Sequence, residues 1–133
     1  MKIYVFGNED FSEDNLAIKA AGNLSDKFPE IQFINIAPNI DLPFFNENKI
    51  IIIDVIQGIN KIELINQEMF DKLLLSPRNT VHDFDLGFQL KYLQKLGKLK
   101  DVRIIGIPQN QKIDYKRIQS ILRKLVAQDM QGS

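Results

Sequence analysis

Cysteine is missing from all 133 residues. That excludes disulfides, thiolate metal ligands and cysteine nucleophiles, and it agrees with a reducing compartment. Neither sign of charge is in excess: Lys and Arg number 17 together, as do Asp and Glu. No global field therefore favours nucleic acid or an acidic membrane surface, and partner choice falls to local shape and chemistry. Long apolar runs are also lacking. The opening MKIYVFGNED has too short an apolar stretch for a signal peptide, and the isoleucine run at 50–53 is far below the roughly 20 residues a membrane helix needs. The expectation is a soluble, cytoplasmic protein that engages neither nucleic acid nor membrane. No G-x-G-x-x-G or G-x-x-x-x-G-K-[ST] pattern follows Gly7-Asn8, so a nucleotide cradle is not expected. Histidine occurs once, at His82.

What is present reads as one domain, since a chain of this length can bury about two thirds of its unfolded surface in a single core. The domain is expected over 1–127. A polar tail at 128–133, QDMQGS, is expected to fray. Residues 2–6 form a β-rich run closed by Gly7. Leu16, Ala20, Leu24 and Phe28 then recur at helical spacing over 15–28, with Ser12 or Asp14 able to cap the helix and Pro29 ending it. Residues 31–36 alternate like a half-buried strand. Residues 50–56 are apolar almost throughout, the pattern of a central parallel strand covered on both faces.

The stretch 37–48 holds Pro38, Pro43 and an apolar knot of Leu42, Phe44 and Phe45, and reads as a loop packed onto the domain. After Gln57-Gly58, residues 61–65 alternate as an edge strand that can run antiparallel to its neighbour. Asn66 can cap a short helix over 66–75. Asp83 or Asp85 can open another, with Phe88, Tyr92, Leu93 and Leu96 inward and Gly97 as its stop. A last strand spans 102–107, and Asp114 starts a closing helix with Ile118, Ile121, Leu122 and Leu125 on one face. Strands alternating with helices predict a three-layer α/β/α domain around a largely parallel sheet of about five strands.

In an open sheet of this kind, ligands bind outside the carboxyl ends of the strands. Three acid–base residues fall near that edge: Asp14 after the first strand, Asp54 closing the central strand, and His82 ahead of a late helix. Two carboxylates and one imidazole suit a divalent ion such as nickel or zinc and leave coordination positions open. Taken singly, Asp14 is an ordinary helix cap and His82 an ordinary surface or hydrogen-bonded histidine. Asp54 is harder to explain away. A carboxylate in a run of isoleucines must either emerge at the strand end or be buried with partners. Lys91, Lys95, Lys98 and Lys100 read as a solvated face.

Three separated motifs also carry a resemblance. A strand leads into Gly7-Asn8 and then the adjacent acids Glu13-Asp14; an apolar strand ends in Asp54; and Thr80-Val81-His82 leads into an amphipathic helix from Asp83. With the closing stretch VRIIGIP at 102–108, the chain resembles the hydrogenase maturation endopeptidases over about residues 1–108. It departs from that pattern in having Asn15-Leu16-Ala17 where relatives are small or glycine-rich, and Ala37-Pro38-Asn39 where they turn through glycine. The resemblance implies a peptidase that removes the C-terminal extension of a nickel–iron hydrogenase large-subunit precursor after nickel loading. Asp14, Asp54 and His82 would be both its catalytic and its metal-contacting residues, and the nickel would come from the substrate. Two other classes stay open: a noncatalytic nickel- or precursor-binding chaperone, and a flavodoxin-like ligand-binding domain in which Asp14 and Asp54 line an acidic pocket.

Overall fold

The computed structural model describes residues 1–6, 16–36, 49–56, 59–66, 101–109 and 112–132. Within them lie five strands: β1 (Lys2–Phe6), β2 (Gln32–Ile36), β3 (Lys49–Ile56), β4 (Glu63–Ile65) and β5 (Asp101–Pro108). They form one sheet in the order β2-β1-β3-β5-β4. All neighbouring pairs are parallel except β4 with β5. The isoleucine-rich β3 takes the centre, as its unbroken apolar character requires, because a central parallel strand is buried on both faces. The edge strand expected at 61–65 is present, shorter and antiparallel.

Alternation along the strands sorts their side chains onto two faces. Ile3, Val5, Ile53, Val55, Ile105 and Ile107 point to one face and join the helices there. Tyr4, Phe6, Ile50, Ile52, Ile56 and Ile104 point to the other. Helix α1 (Leu16–Ser25) sits on the first face through Ala17, Ala20, Ala21 and Leu24. Three of those four are alanines, which lets the helix backbone lie close to the sheet. Helix α2 (Tyr115–Gly132) adds Ile118, Leu122 and Leu125 to the same cluster, with Ile121 half-buried beside them. No described helix packs on the second face. The helices expected at 66–75 and from Asp83 or Asp85 fall outside the described residues, as do the loop at 37–48, Asp14 and His82.

Two helix boundaries differ from expectation. Helix α1 stops at Ser25, three residues before Phe28. Ser25 Oγ donates to the carbonyl of Gly22 at 3.0 Å, and the amides of Lys27 and Phe28 both turn back to the Leu24 carbonyl at 3.0 Å. Phe28 also precedes Pro29, whose ring disfavours helical backbone at the residue before it. At the other end, α2 continues to Gly132, so the limit drawn at Ala127 from polarity is not where the helix ends. Gln128 is tied to the sheet there, its Oε1 accepting from Arg103 Nη1 at 3.0 Å.

Asp114 caps α2 as its position suggested, with Oδ1 accepting from the amide of Arg117 at 3.2 Å. Asp114→Ala is expected to cost about 1 kcal/mol, read as a lower denaturation midpoint at unchanged slope. Gly22 offers the opposite case. It lies inside α1, and an added Cβ would meet nothing within 4 Å. Gly22→Ala should therefore stabilise the protein by roughly 0.5–1 kcal/mol, through the backbone freedom glycine loses on folding. No described helix is long and apolar enough to cross a membrane.

Candidate active site

The strand order reverses between β1 and β3. The chain passes from β1 through α1 to β2 on one side, and then returns to place β3 on the other. In open α/β sheets this switch point leaves a crevice beyond the carboxyl ends of the two strands, and ligands bind there. The segment that follows β1 holds Asp14, and β3 holds Asp54.

Asp54 does not close β3. The strand runs two residues further, because Val55 and Ile56 continue the parallel register opposite Ile107 and Pro108 of β5. The carboxylate is thus set into the body of the sheet instead of emerging from its end. At 2% exposure it is the one buried polar or charged side chain among the described residues. It is not left without a partner, as the cost of burying an unpaired charge requires.

Alternation places Asp54 on the face of Ile52 and Ile56, opposite the face where α1 and α2 pack. Its lateral neighbours follow from the register. On one side is Gly106 of β5, itself paired with Glu63 of β4. On the other side, the register that pairs Tyr4 with Ile52 and Val5 with Ile53 brings Phe6 next in line. A row from Phe6 through Asp54 and Gly106 to the half-buried Glu63 therefore crosses the sheet at one level. With strands about 4.8 Å apart, Glu63 lies roughly 10 Å from Asp54 along that row.

Gly106 is the position that reasoning from sequence alone did not place in the site. A Cβ there would stand 2.8 Å from Cδ1 of Ile56, 3.1 Å from that of Ile59 and 3.3 Å from that of Ile65. The missing side chain lets three isoleucine methyls close over the sheet beside the carboxylate, giving it an apolar flank. Counting register back from Pro108 opposite the end of β3 would have found it.

Of the three expected site residues, Asp54 is described and buried, while Asp14 and His82 lie outside the described residues. Among the described residues no three His, Cys, Asp or Glu side chains gather as a metal-binding group.

No family model matches the sequence, and no curated protein does either. Solved structures do match in three dimensions. An endopeptidase from Escherichia coli solved in solution superposes with a TM-score of 0.65 at 14% identity, covering 99% of this chain and 94% of its own. The hydrogenase maturating endopeptidase HybD from E. coli gives 0.59 at 15% identity, over 81% of this chain and 74% of its own. The fold is that of the hydrogenase maturation endopeptidases. An uncharacterized protein from Wolinella succinogenes shares it at a TM-score of 0.54 and 19% identity, over 80% and 72% of the two chains. The maturation-endopeptidase fold accounts for the five-stranded, mostly parallel sheet flanked by helices that the alternating pattern predicts.

Proposed function

We propose that this chain is an endopeptidase that removes the C-terminal extension of a nickel-loaded nickel–iron hydrogenase large-subunit precursor, acting in the cytoplasm. The observation that carries the reading is the buried Asp54, set beside the switch point of a sheet whose fold solved maturation endopeptidases share. A carboxylate held in an apolar setting is expensive to maintain, and such positions cluster where chemistry needs them.

In this reading Asp14, Asp54 and His82 converge on the nickel that the precursor already holds, and the metal belongs to the substrate. Anchoring the precursor at its own metal fixes the scissile bond nearby, which converts a chance encounter into an oriented one. Hydrolysis then adds water across the peptide bond. The water oxygen attacks the carbonyl carbon, its proton passes to a carboxylate, and the carboxyl hands that proton to the leaving amine as the C–N bond breaks, which regenerates the carboxylate. No serine or cysteine nucleophile takes part. Because the anchor is the metal, cleavage reports that nickel has been loaded.

The test is to incubate the protein with nickel-loaded and nickel-free precursor and follow C-terminal mass loss. Trimming of the loaded form alone, lost in His82→Ala and in Asp14→Asn, is the expected result. Binding without trimming would transfer the assignment to a nickel- or precursor-binding chaperone. Neither binding nor trimming would leave the fold without this function.

A further inference from the structure

On the opposite face from Asp54, a groove of about 400 Å³ runs between β4 and α2. Four of its nine lining residues are cations, Lys61, Arg103, Arg117 and Lys124, against the single carboxylate of Glu63. In the whole chain only 17 of 133 residues are basic, balanced by as many acids. The groove is therefore a local concentration of positive charge in a protein with none overall.

Its construction follows from helical spacing. Arg117, Ile121, Lys124 and Gln128 stand three or four residues apart on α2 and so form one stripe along the groove. Arg117 is locked in place by its Nε donating to the carbonyl of Ile62, immediately before β4. Arg103 is held by Gln128 and by Asp101, whose Oδ2 lies 3.6 Å from Nη2. Lys61 and Lys124 differ. Both are exposed, and neither makes an ion pair or side-chain hydrogen bond among the described residues. Leu64 and Ile121 give the groove an apolar lining between these charges.

We propose that this groove receives an extended acidic segment of a protein partner, laid alongside β4. Strand β4 ends the sheet, paired with β5 on one side and with no strand on the other among the described residues. Such an edge offers main-chain hydrogen bonds to an added strand. Every second side chain of that strand would face α2, where carboxylates would meet Lys124 and Arg117, while the side chains between them would point to the other face of the sheet. A nucleic acid fits less well, because no aromatic side chain lines the groove to stack a base. The proposal is independent of the peptidase reading and uses none of Asp14, Asp54 and His82.

The test is fluorescence anisotropy of the full chain with a labelled alternating Val-Glu octapeptide and its Val-Lys counterpart. The acidic peptide should bind about tenfold or more tightly than the basic one and weaken as salt is raised. Lys61→Glu with Lys124→Glu should cost about tenfold in affinity for the acidic peptide, and Glu63→Gln should gain about two- to threefold. Should the charge-reversed pair fail to fold, Lys61→Gln with Lys124→Gln carries the same comparison with a smaller loss. Equal binding of both peptides, no binding of either, unchanged affinity in the lysine variants, or stronger binding of a single-stranded oligothymidylate would each overturn the proposal.

Discussion

Asp54→Asn should lower precursor trimming by about a hundredfold or more while moving the melting temperature by only a few degrees. Asparagine has the shape of aspartate and keeps an oxygen to accept hydrogen bonds, so the packing against Phe6, Ile52 and Ile56 is preserved. What it removes is the charge and the capacity to take up a proton. A buried ionised carboxylate is costly to hold, and an asparagine oxygen left in the same place spares its partner the larger cost of a buried polar group with no hydrogen bond. The two roles open to Asp54 therefore separate cleanly. If the carboxylate only organises the sheet, the variant loses stability and trims normally per folded molecule. If it serves chemistry, stability survives and trimming does not. Thermal melts and mass spectrometry of the precursor on the same preparations decide between them, and a destabilised but fully active variant would sink the site assignment.

Gly106→Val should destabilise the fold by about 2–3 kcal/mol through overpacking, the largest stability loss we expect from a single added side chain. Alanine alone would press its Cβ to 2.8 Å from the Ile56 methyl, a tip that can swing aside, and should cost about 1 kcal/mol. Valine adds two branches toward Ile59 and Ile65 as well, which stand at 3.1 and 3.3 Å from the Cβ position. The three isoleucines cannot all retreat, because each already belongs to or packs against the buried cluster on that face. Denaturant titration of the two variants beside Gly22→Ala should rank them in that order. A valine variant as stable as the parent would mean that the isoleucine cap over Gly106 yields freely.

The sheet was legible because its strands differ in composition for physical reasons. The isoleucines of β3 announce burial on both faces, and the alternation at 61–65 announces an edge. Asp114 announced its cap because little else suits a carboxylate immediately before an amphipathic run. Errors arose where pairing overrode local pattern. Asp54 looks like a terminus in the sequence, yet β5 continues the register past it through Ile107 and Pro108. The polar residues after Ala127 look like a tail, yet Arg103, far away in sequence, reaches Gln128. Gly106 has no side chain to draw attention, and its place next to Asp54 exists only once two strands are aligned. Asp54 and its strand were legible in the sequence; the neighbours on either side are a property of the pairing.

The β3–β5 register also bears on how the protein is made. Eight consecutive residue pairs join these strands, from Lys49 with Asp101 to Ile56 with Pro108, across a stretch of chain about fifty residues long. Pairing so distant in sequence forms late, after a long loop has been closed. On the ribosome, β1, α1 and β2 emerge first and can associate locally, and β3 can join β1 on one side, but its other flank must wait for β5. Asp54 acquires Gly106 as its neighbour only when synthesis has passed Pro108, so no chain shorter than that carries the acid between both of its neighbouring strands.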